Sequence, residues 1–159
     1  MVTGNQPLDD ADWRILNVMQ RDASLSTSEL AAAVNMSQSA CWRRLQRLRD
    51  DGIIKAEVAL VDRRKVGLNT QVFAQIKLTA HGRSHLEDFS EAIRAFPEVL
   101  DCFVLMGSVD FMLRIVTRDI ESYEAFFFER LSKVSGIQEI SSMVALSEIK
   151  STTALTNQP

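Results

Sequence analysis

The sequence predicts an α+β chain: three short helices, then strands and helices in the order βαββαβ. Three observations carry this. Apolar residues recur at helical spacing in the first third, then switch between a period of two and a period of three to four from residue 70 onward. Residues 36–52, MSQSACWRRLQRLRDDG, gather four arginines on one predicted helix of a chain whose net charge is −3. Charge is also unevenly spread, with ten Lys/Arg against nine Asp/Glu in residues 1–65 and eight against twelve in the remainder.

The first helix is read from LDDADWRILNVMQRD, where Leu8, Trp13, Ile15, Leu16 and Met19 share a face and Asp9 or Asp10 can cap the start. A shorter helix follows in SLSTSELAAAVNM. Ser26 or Thr27 caps it, Ser26 and Glu29 have the spacing of a capping box, and Leu30, Ala31 and Val34 supply the packed side. The joint to the third helix is brief, and Asn35 suits a left-handed turn there. Ser37 can cap the third helix, because its hydroxyl accepts from the free N–H groups of the first turn. Gly52 suits the left-handed position just past the end. Cys41, Leu45 and Leu48 form one apolar stripe, with Ser39, Arg43, Gln46 and Arg47 opposite and Trp42 and Arg44 flanking. Ile54, Ala56, Val58 and Leu60 then alternate as a strand, either a wing or an exit toward the next domain.

Two helices joined by so short a turn, the second bearing exposed arginines, match the helix-turn-helix plan. A three-helix scaffold with a solvated cationic face is the competing reading. Residues 43–65 favour a polyanion instead, with eight basic against four acidic side chains. Such a field acts locally, within a Debye length of about 10 Å. Double-stranded DNA is the expected partner, contacted by Gln38, Ser39, Trp42, Arg43, Arg44 and Arg47. Ser39 lies near the helix start, where a docked recognition helix reaches base edges. Arg43 is expected to reach a base and Arg47 a phosphate, and Lys55, Arg63, Arg64 and Lys65 carry positive charge on toward further phosphates.

From residue 70 the elements follow in turn. TQVFAQIKLTA alternates Val72, Ala74, Ile76 and Leu78 as a half-buried strand. RSHLEDFSEAIRAFP is a helix with Leu86, Phe89, Ile93 and Phe96 inward, ended by Pro97. VLDCFVLMG and FMLRIVT are two strands joined by GSVD, residues 107–110. IESYEAFFFERLSKVSG is a second helix with Tyr123, Phe126, Phe127 and Leu131 inward, and IQEISSMVALSEIK is a last strand. Two helices cover one face of such a sheet; the other face is expected to stay apolar and to be buried by a twin subunit. The GSVD joint reads either as an ordinary hairpin turn or as a site for a free amino acid. Gly107 can expose backbone N–H groups to a carboxylate, and Asp110 can accept from an ammonium.

The stretches LDDADWRIL, STSELAAAVNMSQSACWRRLQRLRDDGII, VDRRKVGL and MGSVDFMLRIVTRDIESYEAFFFERLSKVSGI together resemble the Lrp/AsnC family of transcriptional regulators, over about Leu8 to Lys150 and in the same order. The resemblance implies an amino-terminal helix-turn-helix and a carboxy-terminal ligand-sensing domain of ferredoxin-like βαββαβ form. It also implies dimers, often assembled into octamers, that respond to amino acids. It places the GSVD loop in an effector pocket between dimers, directly for Gly107 and Asp110 and by extension for Met106, Ser108 and Ser142. Cys41 and Trp42 stand where many members carry an aliphatic and a smaller polar residue, a departure that bears on base preference. The implied division is a DNA-binding domain over 8–62, a hinge over 63–69, an effector-sensing and oligomerisation domain over 70–150 and a tail over 151–159.

Other chemistries find little support. The two cysteines, Cys41 and Cys102, lack CxxC spacing, which argues against a disulfide framework or zinc module and for a reducing cytoplasm. The start MVTGNQPLDD has no basic patch followed by an apolar run, and no apolar run reaches membrane-spanning length. His81 and His85 stand four apart without a third ligand nearby, so no metal is expected. No nucleophile–base ordering or phosphate loop is visible, so neither catalysis nor a cofactor is expected. The rival within DNA binding is an architectural protein of the same fold that ignores amino acids.

Overall fold

The computed structural model describes residues 7–157; the first six residues, part of the stretch read as lacking a leader, and the last two residues of the tail lie outside it. The chain forms two compact units, one of residues up to 60 together with those from 150 onward, the other of residues 61–149.

The first unit holds α1 (Asp10–Met19), α2 (Thr27–Ala33) and α3 (Gln38–Asp50). Each start is capped as its sequence suggests. Asp9 and Asp12 exchange side-chain and backbone bonds in a capping box, Ser26 and Glu29 do the same for α2, and the Ser37 hydroxyl accepts from the Ala40 N–H. Asn35 turns the chain at φ 56°. It allows the Met36 N–H to reach Ala31 O at 2.9 Å and the Asn35 N–H to reach Ala32 O at 3.2 Å, the paired bonds that close a helix end tightly. Gly52, at φ 69°, ends α3. Ile15, Leu16, Leu30, Ala31, Val34, Cys41, Leu45 and Leu48 form the core.

The strand expected from Ile54 to Leu60 does not form. The Ile54 N–H closes back on Leu48 O at 3.0 Å, and residues 55–62 carry no strand pairing, with Val58 and Leu60 exposed. Alternation marks a segment able to pair, but a strand also needs a neighbour, and the described chain offers none there. At the other end of the sequence the tail closes on the same unit. The Gln20 side chain donates to Leu155 O at 3.0 Å and accepts from the Leu155 N–H at 2.6 Å.

The second unit holds β1 (Thr70–Leu78), α4 (Ala80–Ser84), α5 (Leu86–Arg94), β2 (Val99–Val104), β3 (Phe111–Thr117), α6 (Ile120–Glu129), a 3₁₀ turn (Leu131–Lys133) and β4 (Ile137–Val144). The sheet is antiparallel, in the order β2-β3-β1-β4. Val72, Ala74, Ile76 and Leu78 face the helices and pack with Phe89, Ile93, Leu113, Ile115, Phe126 and Leu131. This is the expected βαββαβ arrangement, with two corrections. The helix expected from Arg83 onward is broken at His85 into α4 and α5. The break lets Gly82 sit against Gly136, where a β-carbon on Gly82 would come within 2.4 Å of the Gly136 oxygen. The other sheet face is mixed rather than apolar. By register it presents Phe73, Met112, Phe103 and Met143 beside Gln75, Lys77 and Arg114, and Arg114 pairs with Asp101.

Candidate nucleic-acid interface and effector turn

Helix α3 buries Cys41, Leu45 and Leu48, so the stripe that fixes its rotation is the one the spacing predicts. Gln38, Ser39, Trp42 and Arg43 are exposed on its amino-terminal half. With Thr27 they line one shallow groove, and Arg43 also borders a second, shared with Pro7, Asp9, Arg44 and Arg47. A helix presenting donors and an aromatic ring at its start can enter a major groove and reach base edges.

The other arginines behave differently from expectation. Arg44 donates to Asp12 Oδ1 at 2.8 Å and to both oxygens of Asp9 at 2.8 and 3.0 Å. Arg47 pairs with Asp12 Oδ2. Arg49 pairs with Glu57 at 2.6 Å. Arg47 thus does not stand on an open face as the 100° wheel suggests: Asp12, fully buried on α1, draws it and Arg44 inward. Among the described residues, Arg43 is the one arginine of α3 without an ion-pair partner. Its neighbours therefore sort into an exposed edge and an ion-paired network. The Asp9 carboxyl is held below the usual carboxylate range, chiefly by the Asp12 N–H and also by Arg44, and Arg44 is raised by its bond to Asp12 first and to Asp9 second. Arg63 donates through one guanidinium nitrogen to Leu68 O and Asn69 O at 2.9 and 3.1 Å, tying down the approach to β1.

Asp12 is the residue of this arginine cluster that sequence reasoning missed. Its signal was available. Residues 12, 15, 16 and 19 lie on one helical face, so Asp12 is an acid set in an apolar stripe. Such a charge calls for partners, and the arginine-rich helix is the element able to supply them.

In the second unit the turn joining β2 to β3 exposes Met106, Gly107 and Ser108. Asp110 does not stand open beside them. Its Oδ2 accepts from the Leu78 N–H at 2.7 Å and its Oδ1 from Arg83 Nε at 3.1 Å, while its backbone N–H reaches Ile76 O at 2.9 Å. These bonds hold the carboxyl below its ordinary value, the Leu78 N–H most of all. Ser142 is not brought to the turn. It sits opposite Ala74 on β4, its hydroxyl 2.5 Å from that of Tyr123 on α6. The expected effector set is therefore split within one chain into an exposed turn, a braced acid and a distant serine.

Remaining candidates are placed as follows. The His81 and His85 ring centres lie 4.3 Å apart with the planes tilted by 38°, and among the described residues no three or more potential metal ligands gather. Cys41 is buried and burial pushes its thiol up. Cys102 lies opposite Leu113 on the edge strand β2, and desolvation raises its thiol despite Arg94 nearby. No described helix is long and apolar enough to cross a membrane.

Comparison with known proteins agrees with this layout. Residues 8–55 match the winged helix-turn-helix DNA-binding family and residues 71–155 the Lrp/AsnC ligand binding domain. The chain is 36% identical to the DNA-binding transcriptional activator DecR of Escherichia coli, over 93% of this chain and 97% of that one. It is 34% identical to the glutamate uptake regulatory protein of Zymomonas mobilis, over 93% and 90%. Among solved structures, a transcriptional regulator of Neisseria meningitidis in complex with L-methionine is similar at TM-score 0.89 and 36% identity, covering 94% of this chain and 96% of that one. An AsnC family regulator of Agrobacterium tumefaciens is similar at 0.88 and 39%, covering 93% and 96%. A buried-stripe recognition helix, a βαββαβ sheet unit and these matches along nearly the whole chain lead to one conclusion: it belongs to the Lrp/AsnC family of DNA-binding transcriptional regulators.

Proposed function

We propose that this regulator binds a specific DNA sequence through the amino-terminal half of α3, and that a small amino acid alters its DNA affinity or its assembly. The observation that carries the DNA reading is Arg43, exposed beside Gln38, Ser39 and Trp42 with no carboxylate partner among the described residues. The amino-acid reading is supported by the L-methionine complex of the Neisseria meningitidis relative and by the exposed Met106–Ser108 turn. Asp110 shapes that turn and keeps one flank of its carboxylate for an ammonium, and a second copy supplies the groups one chain lacks. The working division is a DNA-binding domain over 8–62, a hinge over 63–69 and an effector domain over 70–150, with the tail over 151–159 serving the first of these. The protein works in the cytoplasm as a homodimer that assembles further, toward an octamer, through the mixed sheet face and the turn.

Arg43→Ala should weaken binding to a duplex selected from a random pool by about 1–3 kcal/mol, the worth of a side chain that reads a base. An unchanged footprint would put the interface elsewhere. A thermal-shift screen of the common amino acids, followed by calorimetry, tests the effector. If no amino acid changes DNA affinity or assembly, the architectural reading replaces the responsive one.

A further inference from the structure

We infer that Asp12 is a specificity-determining residue of the DNA-binding unit: it withholds Arg44 and Arg47 from DNA phosphates and so leaves recognition to Arg43 and its exposed neighbours. The inference rests on the reading of α3 as the DNA-contacting helix and adds a role for a residue that touches no DNA.

Asp12 sits in the first turn of α1 with its side chain fully buried. Oδ1 accepts from Arg44 at 2.8 Å, and Oδ2 accepts from Arg47 and, at 3.2 Å, from the Asp9 N–H. Asp9, half exposed, takes the remaining grip on Arg44. Two carboxylates thus balance two guanidiniums, each guanidinium side chain being 29% exposed.

The two ends of this network are unequal. A phosphate approaching from solvent could meet the outer edge of either arginine, but drawing that arginine away would strand a carboxylate out of water. Breaking a buried pair by removing one partner costs far more than an exposed pair returns. DNA phosphates therefore compete for Arg44 and Arg47 at a disadvantage that they do not meet at Arg43. Sequence-independent affinity follows the number of phosphates neutralised, each adding about 0.9 to the slope of log affinity against log salt. Withholding two cations lowers that component while leaving base readout in place, and specificity is the difference between the two.

The test measures binding of the full chain to a mixed-sequence duplex and to a pool-selected duplex across a salt titration. Asp12→Asn keeps the side chain's shape and removes its charge. It should steepen the salt slope on mixed-sequence DNA by about one to two and cut the preference for selected DNA at least about tenfold. Circular dichroism confirms that the unit remains folded. A triple variant, Asp12→Asn with Arg44→Gln and Arg47→Gln, replaces the buried acid and both of its arginines by amides, leaves only the half-exposed Asp9 charged, and guards against a misfolded single variant. Its salt slope should equal that of the wild type. A triple variant with a shallower slope, or an Asp12→Asn protein with an unchanged slope, would show that the two arginines already contact phosphate and would overturn the inference. Arg43→Ala tests the helix reading separately, because it leaves the Asp12 network untouched.

Discussion

Arg83 Nε lies 3.1 Å from Asp110 Oδ1, while the other oxygen of that carboxylate caps the Leu78 N–H at 2.7 Å. The acid that the sequence offers as a ligand group is thus also the brace of its own turn. It joins the start of β3 to the end of β1 and to α4, and the turn that exposes Met106, Gly107 and Ser108 is built on it.

The brace makes a graded prediction. Asp110→Ala leaves the buried Leu78 N–H without a partner and should cost about 1–3 kcal/mol of stability. Asp110→Asn keeps an acceptor oxygen and should cost less than about 1 kcal/mol, while Arg83→Gln removes only an exposed pair and should cost still less. Denaturant unfolding of the three variants checks the order. Equal losses would mean that the carboxylate does not support the turn.

The glycine crossing predicts a second order. Gly82→Ala drives a β-carbon against the Gly136 backbone, and overpacking of this kind costs about 1–3 kcal/mol. Gly52→Ala meets open space but must hold φ 69°, a cost of about 1 kcal/mol. Thermal unfolding of each variant should place Gly82→Ala lower, with the loss confined to the second unit's transition.

Arg130 predicts a difference between two cations. Its guanidinium lies 4.6 Å from the Phe96 ring centre and 5.6 Å from that of Phe126, and it donates to Glu98 at 2.7 Å. Arg130→Lys keeps the charge and loses the planar stacking, for about 0.5–1 kcal/mol. Arg130→Ala also abandons Glu98 and should cost about 1–3 kcal/mol. If lysine is as costly as alanine, the stacking matters and the charge does not.

Acid sensitivity follows from the lowered carboxyls. Asp110 is held down first by the Leu78 N–H and then by Arg83, and Asp9 first by the Asp12 N–H. A carboxyl whose folded value lies below its unfolded one contributes stability above the unfolded value and loses it as pH falls through the folded one. Stability should therefore hold at neutral pH and decline below about pH 4. In Asp110→Asn the acid limb of a stability-against-pH curve should be flatter. An identical limb would show that Asp110 is not linked to folding.

The parts of the fold that were legible in sequence are those written in local chemistry. Ser26 with Glu29, Asn35 and Gly52 announce their caps and turns, and Val72 to Leu78 announce a half-buried strand, because each depends on neighbours a few residues away. Residues 54–60 misled for the complementary reason: their alternation states a capacity to pair, and the partner is a tertiary fact. The same limit governs the candidate site. Arg43 is exposed on α3 as the wheel indicates, whereas Arg47 is drawn in by Asp12, since a helical wheel contains no information about an acid on another helix. Ser142 lies on β4 opposite Ala74, whereas Asp110 ends the turn before β3 with its N–H on Ile76 O, and the sheet register keeps the two apart.

The bond between Gln20 and Leu155 spans 135 positions of sequence. Translation delivers the chain from its amino end, so α1, α2 and α3 emerge and pack long before residue 155 exists. The first unit therefore receives its last pieces only after the entire sheet unit has left the ribosome. A nascent or carboxy-terminally clipped chain would carry the recognition helix without the strap across the end of α1.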